Sequence, residues 1–91
     1  MGELRIDDRS YEIDDVQLVN LQTALAQSLP RSPQVRVVIH DRQGEQHLVV
    51  DAVRPFAIHT RSEVWPSLDA VAWLLDELDL LGRIAVVGGE S

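Results

Sequence analysis

Residues 35–53 read VRVVIHDRQGEQHLVVDAV, two β-prone runs flanking a polar stretch at the spacing of a β-hairpin centred on Gln43-Gly44. With that pair as the turn, Arg42 opposes Glu45, His40 opposes His47, Val38 opposes Val49 and Arg36 opposes Asp51. These residues share one face. The other face carries Val35, Val37, Ile39, Leu48, Val50 and Ala52, an apolar surface expected to meet the core. Arg36 with Asp51 and Arg42 with Glu45 read as cross-strand ion pairs, which contribute about 0–1 kcal/mol when exposed.

Working outward, the segment before the hairpin supplies a smaller hairpin and a helix. Leu4 and Ile6, then Tyr11 and Ile13, alternate with polar residues around an expected turn at Asp8-Arg9. Asp14 or Asp15 can cap a helix running to about Leu29, stopped by Pro30 and Pro33. Leu18, Leu21, Leu25 and Leu29 form its inward face, and residues 30–34 are a linker. After the central hairpin, Arg54-Pro55 interrupts the strand, and Phe56 to Thr60 reads as a short edge strand.

Ser67 is an N-cap, and Leu68 to Leu81 runs without a breaker to Gly82, the expected helix stop. At 100° per residue, Leu68, Val71, Ala72, Leu74, Leu75, Leu78 and Leu81 fall on one half, expected to face the core. Arg83 to Val87 is a final strand, and residues 88–91 a flexible polar tail. The chain therefore reads as one small acidic α+β domain over 1–91. Its architecture is a two-layer sandwich, a mainly antiparallel sheet with two helices on one face, in the order ββαββ(β)αβ.

Composition narrows the partners. The 91 residues carry 15 acids against 8 basic residues, all of them Arg, for a net charge of −7. That charge repels nucleic-acid phosphates and anionic lipid headgroups, so neither nucleic acid nor membrane is expected as a partner. The absence of Cys excludes a disulfide framework, thiolate catalysis and Cys-ligated zinc. The start, Met1 to Asp8, lacks the basic and apolar regions of a signal peptide, which makes the cytoplasm the expected location. No GxSxG, P-loop, GxGxxG or HExxH motif occurs, so no enzyme activity and no cofactor are expected.

Three groups of residues remain for function. Val16 to Leu29 contains no charged residue, and its outward positions, expected as Gln17, Asn20, Thr23 and Gln27, would lose less on desolvation than a charged face. On the second helix Trp73 and Leu80 come together outside the core half, flanked by Asp69, Asp76 and Glu77. An aromatic ring inside an acidic rim is a common anchor at interfaces. Against that reading, Trp73 can instead pack beneath residues 56–65, and Arg83 can neutralise the acids at the helix end. His40 and His47, opposed in the expected register, form a candidate pH-sensing or ligand site, or two legs of a metal site completed by Glu45, Asp51 or His59. Two histidines alone do not define zinc, and no metal site is assigned.

The Val86-Val87-Gly88-Gly89 ending, after a hairpin and a helix, resembles that of the ubiquitin-like β-grasp proteins. Glu90 and Ser91 follow the glycines, however, and Leu68 to Leu81 is longer than the second helix usual in that family, so no family follows from it. The leading expectation is a non-enzymatic protein–protein interaction module, a small regulator, chaperone or inhibitor-like adaptor. It would be homodimeric or bound to a heterologous, basic partner through Trp73, Leu80, Asp69, Asp76 and Glu77, with Gln17 and Asn20 as a second surface. The alternative is a ligand- or metal-responsive domain using His40 and His47.

Overall fold

Alternation builds the first hairpin, as the computed structural model shows; it describes residues 1–53 and 56–88. Strands β1 (Gly2–Ile6) and β2 (Arg9–Ile13) run antiparallel, with Leu4 opposite Tyr11 and Ile6 opposite Arg9. Leu4, Ile6, Tyr11 and Ile13 are buried on one side. The turn falls at Asp7-Asp8, one residue before the expected Asp8-Arg9, and Asp7 takes the left-handed conformation at φ 56°. Aspartate is one of the few side chains that tolerate it.

Helix α1 (Asp15–Ser28) starts at Asp14, whose carboxylate accepts the Val16 N–H at 3.2 Å. Its leucines behave as the periodicity requires: Leu18, Leu21 and Leu25 are fully buried, and Leu29 packs at the edge of the same cluster.

Strands β3 (Gln34–Asp41) and β4 (Gly44–Asp51) form the central hairpin with a corrected register. Asp41 pairs with Gly44, so Arg42-Gln43 is the loop, His40 opposes Glu45, Val38 opposes His47 and Arg36 opposes Val49. A turn centred on Gln43-Gly44 needs left-handed backbone at both residues, but Asp7 is the one non-glycine with positive φ among the described residues. Instead the Asp41 carboxylate accepts the Gln43 N–H at 2.8 Å and the Gln46 amide at 2.8 Å, while Gly44 opens the return strand at φ 116°. Aspartate first and glycine fourth is the signature of a type I turn. A two-residue shift preserves the faces, because strand side chains alternate with period two. Val35, Val37, Ile39 and Val50 are therefore buried as expected and Leu48 packs against them. Ala52 lies beyond β4 and is exposed. The expected opposition of Arg36 to Asp51 is lost, since Gln34 takes that place, and Arg42 moves into the loop.

Arg54-Pro55 lies outside the described residues. Strand β5 (Phe56–His59) is an edge strand as expected, paired antiparallel with β1. Helix α2 (Leu68–Leu81) is capped by the Ser67 hydroxyl, which accepts the Ala70 N–H at 3.3 Å. It ends at Gly82, left-handed at φ 72°, whose N–H reaches the Leu78 carbonyl at 2.8 Å. Strand β6 (Arg83–Val87) then joins β3 in parallel.

The result is the expected α+β architecture in the order ββαββ(β)αβ, with its strands divided into two three-stranded sheets, β2-β1-β5 and β4-β3-β6. Among the described residues one β-bridge links them, between Ile13 and Gly88. Gly88 is thus held in the sheet rather than in a flexible tail, its N–H donating to the His40 carbonyl at 2.7 Å, while residues 89–91 lie outside the described set. One hydrophobic cluster unites Leu4 and Ile13, the α1 leucines, Val37 and Ile39, Val71 and Leu74, and Ile84 and Val86.

Gly82 should not accept a side chain without cost. Left-handed backbone disfavours any Cβ by about 1–2 kcal/mol, and the space around Gly82 is open, so no clash adds to it. Gly82→Ala is expected to lower unfolding free energy by about that amount in a denaturant titration, with α2 and the fold retained.

Candidate functional site

Helix α2 presents much less of itself to the core than its pattern suggests. Val71 and Leu74 are buried and Leu75 and Leu78 are partly so, whereas Leu68 is 82% exposed, Leu81 60%, and Ala72 is exposed as well. The expected core half is corrected to a narrower stripe, because α2 crosses one side of α1 and the edge strand β6 rather than lying flat on a broad sheet. On the outer flank Trp73 is 63% and Leu80 83% exposed, with Asp69 and Asp76 exposed beside them. Residues 56–65 do not cover Trp73. Glu77 turns inward instead, half-buried, and accepts from the Arg83 guanidinium at 2.8 Å.

The amide residues of α1 are not a free surface. Asn20 is buried, and its carbonyl oxygen accepts the Ser67 N–H at 2.8 Å, fixing the residue that caps α2. Gln17 is half-buried, and its carbonyl oxygen accepts the Val87 N–H at 2.8 Å. The outward positions are Val16, Gln22, Ala26 and Gln27, with Thr23 half-buried and bonded back to the Val19 carbonyl. Both corrected residues nevertheless reach a common place. Gln17 and Asn20 line one side of a cavity of about 340 Å³, Ala70, Trp73 and Leu74 the second, Ala85 to Val87 the third, and His40 its end. Four residues singled out by sequence, Gln17, Asn20, Trp73 and His40, therefore share one mostly apolar groove.

The histidines meet through an acid, not each other. Glu45 lies 3.9 Å from His40 Nδ1 and 3.3 Å from His47 Nε2. Among the described residues no group of three or more His, Asp or Glu is placed to hold a metal ion. Val38, expected on this outer face, lies on it but is fully buried between His47 on β4 and Ala85 on β6.

Two features had no signal in the sequence. Asp15, beyond starting α1, is buried and accepts the Arg61 N–H at 3.3 Å and the Ser62 N–H at 3.1 Å, with the terminal ammonium at 3.8 Å. Burial pushes its carboxyl up, but the Arg61 N–H, the ammonium and the Ser62 N–H and hydroxyl outweigh that and hold it below the ordinary carboxylate value. The second is Tyr11, whose buried hydroxyl has no hydrogen-bond partner among the described residues. It borders a polar cavity of about 420 Å³ beside the β3–β4 turn, with Ser10, Glu12, Asp41, Arg42 and Gln46.

No helix among the described residues is long and apolar enough to cross a membrane. Comparison with known proteins finds no match among family models, curated proteins or solved structures.

Because the folded Asp15 carboxyl is shifted down, its contribution is complete above the ordinary carboxylate pKa of about 3.9 and disappears as pH falls through the folded value. Asp15→Asn should therefore melt below the wild type at neutral pH, and the gap should close as melts are repeated toward pH 3.

Proposed function

We propose that this domain is a non-catalytic protein–protein interaction module that docks through the outer flank of α2 and the groove beside it. The observation that carries this reading is Trp73, which stands 63% exposed on a rigid helix as one wall of an apolar groove. Solvent does not favour that placement. A large amphipathic ring at the mouth of a preformed apolar depression, with acids around it, is the composition of an interface anchor and its rim. Leu80 at 83% exposure extends the apolar surface along the same flank of the helix. Function would follow from occupying or masking a partner's surface, as in a small regulator, chaperone or inhibitor-like adaptor.

Self-association is one form of the same reading, favoured by Trp73 and Leu80, which a second copy would cover. A heterologous, basic partner is the other, favoured by Asp69 and Asp76 on the same flank and by the net charge of −7. Light scattering over a tenfold concentration range, paired with co-purification from the native source, separates the two. Trp73→Asp should abolish whichever association the wild type shows while leaving circular dichroism and melting unchanged. A folded Trp73→Asp protein with unaltered native mass and unaltered co-purification would overturn the reading.

A further inference from the structure

The groove runs along the free edge of a strand, and that fact specifies its occupant. In the sheet β4-β3-β6, β6 is an edge strand. The pairing of His40 with Val87 and the Gly88 N–H bonded to the His40 carbonyl show that Ile84, Val86 and Gly88 direct their main-chain groups to β3. Arg83, Ala85 and Val87 direct theirs away. The Val87 N–H is satisfied there by Gln17, and Ile13 bridges to Gly88, just past the end of β6. Ala85, midway along the groove wall, keeps an N–H and a carbonyl on the side away from β3, with no strand against them among the described residues. Unpaired edge groups are a template for an added strand.

We propose that the β6 edge is a β-strand-addition site that takes an extended, cationic segment of another protein. This rests on the reading of the domain as an interaction module and names the conformation and charge of what it binds. The extended backbone would pair with Ala85. Alternate side chains of a strand project to one side, so every second residue of the segment would enter the apolar groove against Ala70, Leu74 and the Trp73 ring. On that wall Gln17 is half-buried with its carbonyl oxygen engaged by Val87, and Asn20 is buried with its own engaged by Ser67. The charge of the segment follows from the rim. Asp69 and Asp76 lie one turn to either side of Trp73, exposed and without a cation among the described residues, where Arg83 is taken by Glu77. A second copy would bring the same carboxylates and another −7 to this edge, whereas Arg or Lys at the intervening positions would be attracted to it.

The test uses the full chain carrying Trp65→Phe, so that Trp73 is the sole indole, and three synthetic ten-residue peptides. One alternates Val and Arg, one alternates Val and Glu, and one is the Val/Arg peptide with its central Val replaced by Pro. The Val/Arg peptide should shift Trp73 emission saturably, with the other two at least tenfold weaker. Ala85→Pro removes the outward N–H and leaves the β3 ladder intact, and it should weaken Val/Arg binding at least tenfold with the melting profile of a folded domain. Equal binding by Ala85→Pro, equal binding of the Val/Glu peptide or no binding of any peptide would each overturn the proposal. A dimer by light scattering that Ala85→Pro converts to monomer would do so too, by making the occupant a second copy. Loss of association in Trp73→Asp alongside any of those results would sink strand addition and leave the interaction module standing.

Discussion

The hydrogen bond from the Ser67 N–H to Asn20, 2.8 Å long and spanning more than half the chain, is the constraint on which the rest of the functional geometry depends. Ser67 is the cap of α2, so anchoring its backbone to α1 sets where the second helix begins and therefore where Trp73 stands. Two further contacts from the same helix do related work: Asp15 holds the Arg61 and Ser62 N–H groups, and Gln17 holds Val87 at the end of β6. All four partners are backbone N–H groups, which need an acceptor wherever water is excluded. One polar edge of α1 thus closes the loop before α2 and the last strand onto a core that its leucines fill from the other side. The lack of charge from Val16 to Leu29 has its physical sense here, since the Gln17 and Asn20 carboxamides can be buried against backbone at far less cost than ammonium or guanidinium groups.

The central hairpin shows how a local error can be harmless to the fold and decisive for a site. Moving the loop from Gln43-Gly44 to Arg42-Gln43 changes every cross-strand partner but not which side chains face inward. The core is blind to the change. The histidine pair is not, because two imidazoles in direct opposition become two imidazoles separated by Glu45. What fixes the true register is the Asp41 carboxylate, which satisfies the Gln43 N–H and the Gln46 amide at once. It is a one-residue preference for the first position of a type I turn that competes with the better-known demand for glycine in a two-residue loop.

Legibility followed the range of the interaction. Element order, both helix caps and the buried faces of α1, β3 and β4 depend on periodicity and on neighbours a few residues away, and those could be read from the chain. The width of the buried stripe on α2 could not. Leu68, Ala72 and Leu81 belong to the apolar half of the helix by angle, yet they are exposed because the surface beneath α2 is only α1 and one edge strand wide. The division of the strands into two sheets was equally hidden, since β5 chose β1 across some fifty residues rather than the adjacent hairpin. Trp73 was visible as an oddity in a helix, Gln17 and Asn20 as amides in the uncharged stretch from Val16 to Leu29. That they wall the same groove depends on contacts between α1, α2 and β6 that no local pattern encodes.

The exposed edge and the exposed ring explain each other. A lone Trp on a helix surface would add apolar area without direction, and a lone edge strand would invite pairing with any extended chain, including another copy of itself. Set side by side, each limits the other. The ring and the floor of Leu74 and Ala70 reward a segment that offers an apolar residue in the right alternation, and the Ala85 main chain requires that segment to be extended. In the proposed mode Asp69 and Asp76 discriminate by charge, favouring a cationic segment over a second acidic copy. Gln17 closes the outward N–H of Val87 from within the domain, so the open template is short and centred beside the ring. A short edge limits non-specific sheet growth, and the adjoining groove concentrates what affinity remains at one point on the surface.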